Sequence, residues 1–230
     1  MEKNGSRAIT SPSRESKGAS QPTKVGFVNV AATSVARPTT MTTTPFLLET
    51  DRILLRRFTD DDLEVFLAYR NDPDVSRWQG WTVPYPREKA VEFIEYMKVK
   101  DPTEPGSWLQ LAIVTKAEHE FIGDAAFFIK KDDTRQAYIG CTILKKHWRK
   151  GYGVEASRRL MAYLFDECNM HRVIAETDVE NIASWNTLEC LGFRRESHLL
   201  ENIWFKGAWA SEYHYAMLDR EWKEMNAQNL

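Results

Sequence analysis

The chain has 230 residues, 43% hydrophobic and 28% charged, a balance that fits one main soluble globular domain. A net charge of −2 and an isoelectric point near 6.2 exclude the basic footprint of a nucleic-acid-binding protein, and no apolar run reaches the roughly 18 residues of a membrane span. Cys141, Cys168 and Cys190 are odd in number, widely spaced and set in apolar contexts, so they predict buried thiols in a reducing, cytoplasmic compartment, with neither a disulfide framework nor a metal site.

Residues 1–45 differ in kind from the rest. They are rich in Ser and Thr, carry only Glu2 and Glu15 as acids, and show no hydrophobic period beyond Val25 to Val30. Such a segment cannot bury enough surface to offset its ordering entropy, which predicts a disordered or dispensable extension. Three explanations compete: an artefactual extension with the true start at Met41, a solvated tail, or an organelle transit segment; Met41 just ahead of the folded part favours the artefact or a dispensable tail. The basic, hydroxyl-rich composition suits a transit segment, whereas the Met1-Glu2-Lys3 opening does not.

From Ile53 the pattern becomes structural. Ile53 to Phe58 reads as a strand, followed by Thr59 as an N-cap and by Asp60, Asp61 and Asp62, favourable at the positive end of a helix that buries Leu63, Phe66 and Leu67. That helix should end before Asp72-Pro73. Val75 to Pro86 is a loop with three large aromatics. Trp78, Trp81 and Tyr85 either wall a ligand site or cap the core, and they are the candidate substrate-binding residues. Pro86 opens a second helix through Lys98 with Ala90, Phe93, Ile94 and Met97 apolar. Trp108 to Val114, Phe121 to Ile129 and Gln136 to Leu144 read as strands, Arg172 to Val179 as another, and Ile182 to Leu191 as a short helix. Phe193 to Phe205 and Ala208 to Met217 form a last antiparallel pair, turned at Lys206-Gly207. Several strands ahead of a central βαβ unit predict an α+β fold, a mixed sheet with helices on its faces.

The most informative stretch runs from His147 to Ala156, a basic glycine turn between a strand and an amphipathic helix whose Ala156, Leu160, Met161, Leu164, Phe165 and Cys168 share one face. A helix N-terminus offers unpaired N–H groups and partial positive charge, and glycine lets a ligand approach the backbone, so the turn reads as a phosphate cradle with Arg149 and Lys150 beside it. Gly151-x-Gly153-x-x-Ala156, with Glu176 or Asp178 downstream, also fits a loose dinucleotide-binding pattern. Lys145 to Lys150 intervene where that pattern turns tightly out of its strand, and no P-loop pattern is present. An ordinary helix start with solvated basic residues is the plainer alternative.

Downstream stand Asn181-x-x-Ser184 and Gly192-Phe193. Together with Trp148-Arg-Lys-Gly151-Tyr-Gly153-Val-Glu-Ala156 they resemble the acyl-CoA-binding core of the GNAT N-acetyltransferases. The closing Trp204-Phe-Lys-Gly207-Ala-Trp209 with Glu212-Tyr213, the opening Glu49-Thr-Asp51-Arg52-Ile-Leu-Leu-Arg56 and Phe121-Ile-Gly123 are similar to the RimJ/RimL branch, whose best-known members acetylate ribosomal-protein N-termini. The resemblance covers roughly residues 47 to 222. Trp148 replaces the superfamily's frequent Gln or Arg, and Glu212 stands where the branch more often has Asp.

The resemblance implies a GNAT-like domain over residues 46–222, with a mostly antiparallel twisted sheet flanked by helices on both faces, and a C-terminal tail at 223–230. It implies acetyl transfer from acetyl-CoA to a primary amine, without a metal. The pyrophosphate would lie on the backbone of Arg149, Lys150, Gly151, Tyr152, Gly153 and Val154. Leu144 and neighbouring strand backbone would line the pantetheine arm, and Asn181 would hydrogen-bond it. Ser184 would protonate the departing thiolate. A helix cap and a turn residue are the plainer readings of Ser184 and Asn181. An amine nucleophile needs a base. Glu176 and Asp178 alternate with Ala175 and Thr177 and so share a face; Glu176 is the first candidate, then Glu201, then Asp178. His147, His198 and His214 read as surface or satisfied histidines. The expected acceptor is a protein N-terminus of the ribosomal type; a small amine (antibiotic, amino acid or polyamine) and a non-catalytic acyl-CoA-binding module are the alternatives. A homodimer is common among similar proteins, while the sequence itself does not fix the oligomeric state.

Overall fold

The strands are β1 (Leu47–Glu49), β2 (Ile53–Arg56), β3 (Trp108–Thr115), β4 (Phe121–Ile129), β5 (Gln136–Ile143), β6 (Arg172–Asp178), β7 (Arg194–Phe205) and β8 (Ala208–Leu218). They form one sheet in the order β1-β2-β3-β4-β5-β6-β8-β7, antiparallel throughout except where β5 meets β6. This computed structural model describes residues 46–228, so the extension expected at 1–45 lies outside the described residues.

β3 and β4 sit near the middle of the sheet and are buried along almost their whole length. Their near-continuous apolar runs are what a strand covered on both faces requires. The helices α1 (Leu63–Arg70) and α3 (Arg87–Val99) cover one face, where Phe66 stacks on Phe93 at 5.0 Å and meets Phe58 edge-on at 5.4 Å. On the other face α4 (Tyr152–Ala162) continues into a π turn, Tyr163–Glu167, whose Tyr163 packs against Phe127 of β4. α5 (Ile182–Cys190) lies beside β6. The expected mixed sheet with helices on both faces is therefore present.

Three elements escape the sequence pattern. β1 is only three residues long. α2 (Pro73–Ser76) is a single turn inside the expected loop, capped by Asp72, whose Oδ1 accepts the Asp74 N–H at 2.9 Å. α6 (Asp219–Ala227) runs across the boundary expected at residue 222. Trp222 stacks on Phe165 at 5.7 Å and donates its Nε1–H to Asp166 Oδ1 at 2.9 Å. The stretch expected as a tail from residue 223 thus begins inside a packed helix, held by one aromatic anchor that a short charged segment hides from periodicity.

Two local features shape the site. Gly123 has φ of 154°, and a Cβ there would meet the Thr142 carbonyl oxygen at 2.1 Å, so β4 and β5 can approach only over a glycine. And β5 and β6 pair only from Gln136↔Arg172 to Tyr138↔Ile174. Beyond that register they diverge, and the sheet opens into a wedge.

Candidate active site

The wedge holds a cleft of about 690 Å³, lined by Ile139–Ile143 on one side and Ala175–Asp178 on the other, with α4 and α5 closing it. Strand edges that have parted leave backbone N–H and C=O groups free to pair with an extended, amide-bearing ligand, as a sheet edge pairs with an added strand. The α4 N-terminus forms the cleft's mouth. Gly151 takes φ of 82°, and the first helical bond runs from the Glu155 N–H to the Gly151 carbonyl at 3.1 Å. The N–H groups of Tyr152, Gly153 and Val154 precede that bond and are the helix's unpaired donors. They make an anion site at the positive end of the helix dipole.

Arg52 braces this turn. Its Nε donates to Glu155 Oε2 at 2.7 Å, its Nη1 to the Lys150 carbonyl at 3.1 Å, and its guanidinium lies 4.6 Å from the Tyr152 ring centre. Thr50 adds a 2.6 Å hydrogen bond to Glu155 Oε1. β1 and β2, at the start of the described residues, are thereby tied to a turn about 100 residues away, which fixes the backbone donors before any ligand arrives.

Across the wedge Asn181 caps α5, its Oδ1 accepting the Ser184 N–H at 3.2 Å. That bond leaves the Ser184 hydroxyl as a side-chain donor, and both residues border the cleft. Glu176 borders it too, with a side chain only 12% exposed. Burial, and then the neighbouring carboxylate of Glu212, push its carboxyl up to about 7, the poise expected of a proton acceptor near neutral pH. His214 faces it across β6 and β8, Nδ1 to Oε1 at 3.8 Å. Cys141 also borders the cleft, but burial pushes its thiol up to about 12, which keeps it protonated and a poor nucleophile. The arrangement suits direct attack by an external nucleophile better than an acyl-cysteine route.

The family model for the acetyltransferase (GNAT) domain matches residues 52–194. The chain belongs to the GNAT acetyltransferases. The N-acetyltransferase YnaD of Bacillus subtilis, whose own function is uncharacterized, is 30% identical over 175 residues, covering 76% of this chain and 98% of that protein. A GNAT-family acetyltransferase from Bacillus anthracis superposes with a TM-score of 0.68 at 28% identity, over 76% of this chain and all of its own. Spermidine N-acetyltransferase from Vibrio cholerae, solved with CoA and spermine, gives 0.66 at 19% identity over 76% and 99% of the two chains, a likeness of fold alone. The GNAT fold and the N-acetyltransferase class follow from these findings.

Within this GNAT domain the residues expected at the donor site divide. Arg149, Gly151, Tyr152, Gly153, Val154 and Asn181 border the cleft. Leu144 does not: it is 8% exposed, packed into the core, and its N–H donates to the Ile122 carbonyl at 2.8 Å. It lies one residue past the end of β5, where the chain turns into Lys145–His147, and Ile139 to Ile143 line the wedge instead. Lys150 is turned away as well, its Nζ 3.5 Å from His147 Nδ1 and its carbonyl held by Arg52. Arg149 holds φ of 62°.

The aromatic loop is also corrected. Only Trp78 reaches the cleft. Trp81 is 3% exposed and donates its Nε1–H to the Arg70 carbonyl at 2.8 Å. Trp81, Phe66, Phe93 and Tyr85 surround the buried Arg70 guanidinium, with ring centres 3.8, 4.6, 5.2 and 5.4 Å away. A desolvated cation needs π faces and an acceptor, here Gln110 Oε1 at 3.1 Å, and that requirement claims Trp81 and Tyr85 for the core. Glu201 stands apart from Glu176, on a neighbouring cavity. Asp178 borders both cavities, and its Oδ1 accepts the Glu180 N–H at 2.9 Å. Sequence reasoning missed Arg52, Gln79 and Glu212 as site-shaping residues. Arg52 stood in a quoted motif without a role, and Gln79, whose Nε2 donates to Thr142 Oγ1 at 3.2 Å, had no signal beyond its place in the loop.

Proposed function

We propose that the chain moves the acetyl group of acetyl-CoA to the primary amine of a small cationic molecule. Backbone N–H groups from Gly151 to Val154 bind the donor's pyrophosphate, and the parted edges of β5 and β6 hold its amide-bearing arm. Asn181 fixes the start of α5 and contributes its amide nitrogen to the same arm. Glu176 takes the proton that the amine must lose for its lone pair to attack the thioester carbonyl. The C–S bond then breaks as the N–C bond forms, the acylated nitrogen gives its remaining extra proton to solvent, and Ser184 delivers a proton to the departing sulfur and is reprotonated by solvent. The observation that carries the reading is a buried Glu176, its carboxyl raised by burial, bordering a cleft whose other end is a helix N-terminus.

Two acceptor classes were expected, and the surroundings of Glu176 favour the small amine over the protein N-terminus. Trp78, Asp178, Glu180 and Glu201 gather aromatic and acidic groups into a cavity of 340 Å³ beside the base, a volume that suits a compact cation. Within the family, the closing Trp204 to Trp209 segment and Glu212 support placement near the RimJ/RimL branch, and the reducing state implied by free cysteines supports the cytoplasm. The test is thiol release from acetyl-CoA with a panel of small amines and of peptides with free N-termini, with mass spectrometry of the product. Acetylated small amines support the reading. Acetylation of peptides alone reverts it to the N-terminal class.

A further inference from the structure

The cavity beside Glu176 carries more negative charge than the transfer of one acetyl group uses. It meets the main cleft at Trp78, Asp178 and Glu180, which border both. Its aromatic walls are Trp78, Phe205 and Trp209, and its acids are Asp178, Glu180 and Glu201. A backbone irregularity puts Glu201 there. The β7–β8 register shifts between Leu199 and Ile203, Glu201 takes φ of 44°, and its N–H donates to Ser211 Oγ at 2.9 Å. A bulge of this kind re-aims a side chain that regular pairing would leave along the strand.

The cation among the lining residues is Arg77, which lies 3.8 Å from Glu180 Oε2 and stacks on Trp78 at 4.5 Å. Three carboxylates and this one guanidinium line the cavity. A second, separate observation lies behind them. Glu212 is directly opposite Asp178 on the paired strands and is 3% exposed. Its Oε2 accepts from Asn202 Nδ2 at 2.7 Å, while its Oε1 is buried with no hydrogen-bond partner among the described residues. Directly opposed cross-strand residues share a face, and a buried carboxylate oxygen without a donor is costly unless a cation comes near it.

We propose that this side cavity binds a second cationic group of the acceptor, so that the substrate is an aliphatic diamine or polyamine. The inference rests on the small-amine reading above and names its substrate class. One ammonium presents its nitrogen at Glu176. The other sits between the indole faces of Trp78 and Trp209 and the carboxylates of Asp178, Glu180 and Glu201, where cation–π and ionic attraction act together. Asp178 lies two residues beyond Glu176 on β6, roughly 7 Å at the rise of an extended strand. A chain of about four carbons or more spans that distance.

The experiment compares kcat/KM for straight-chain α,ω-diamines of three to eight carbons with the matching monoamines, using the full chain. The expected result is at least a tenfold preference for diamines of four carbons or more, shrinking as salt rises. Glu201→Gln should cut that preference several-fold, and Trp209→Ala should cut it as well. Because both positions are on or beside the hairpin, circular dichroism and acetyl-CoA affinity report whether the variants fold. Equal kcat/KM for monoamines and diamines would overturn the second-cation site and leave the small-amine reading standing. Acetylation of no small amine by a protein that binds acetyl-CoA would overturn the small-amine reading itself.

Discussion

Replacing Glu176 by Gln tests catalysis and stability together, in opposite directions. The carboxyl is 12% exposed and is pushed from its ordinary 4.5 to about 7, chiefly by burial and then by Glu212. A carboxyl raised in the folded state binds more protons there than in the unfolded chain, so its contribution to stability is fully present below pH 4.5 and is lost as pH rises through 7. At about 1.4 kcal/mol per pH unit, ionised Glu176 costs the fold about 3 kcal/mol above pH 7. Glutamine has the same shape and no charge to desolvate. Urea unfolding of the Glu176→Gln variant should therefore show a gain of a few kcal/mol at pH 8 and little change at pH 4. The same variant should lose about 10²- to 10⁴-fold in kcat/KM, and with it the rise in activity centred near pH 7. A variant that keeps wild-type activity with an unchanged pH profile, or whose stability difference is the same at pH 4 and pH 8, refutes the assignment of Glu176 as the buried base.

Other outcomes follow from neighbouring groups. Glu212→Gln removes the like charge beside Glu176, so the acid limb of the pH–rate profile should move to lower pH. Gly151→Asp puts a carboxylate at the anion site and a Cβ at a φ of 82°. Calorimetry should show loss of acetyl-CoA binding, and Gly151→Ala should show a milder loss from strain of about 1 kcal/mol. Ser184→Ala keeps the backbone N–H that Asn181 accepts from, so turnover should fall far more than acetyl-CoA affinity; the reverse split in steady-state kinetics would make Ser184 a positioning residue. Trp81→Ala empties a site at 3% exposure and frees the Arg70 cage, and chemical denaturation should register a loss of about 3–5 kcal/mol.

The fold was legible wherever periodicity was long. The runs that became β3, β4 and β5, and the helical face from Ala156 to Phe165, lie within a residue or two of their expected bounds. The elements that escaped are short or rest on single anchors, as α2 rests on the Asp72 cap and α6 on Trp222. Side-chain direction was the harder inference. Leu144 follows a strand that borders the cleft, yet its place at the strand's end turns it into the core. Trp81 and Tyr85 sit in a loop that composition marks as a ligand wall, but the demand came from Arg70, a helical arginine whose burial no local pattern announces. The same limit hid Glu212, whose significance depends on standing across from Asp178 in a pairing of strands 34 residues apart in sequence.

The most direct measurement is calorimetric titration of the full chain with acetyl-CoA, followed by thiol release on adding a small amine. The expected result is one acetyl-CoA bound per chain, with binding lost in Gly151→Asp, and thiol release matched mole for mole by acetylated amine. A protein that does not bind acetyl-CoA, or that binds it equally well with Asp at position 151, contradicts it.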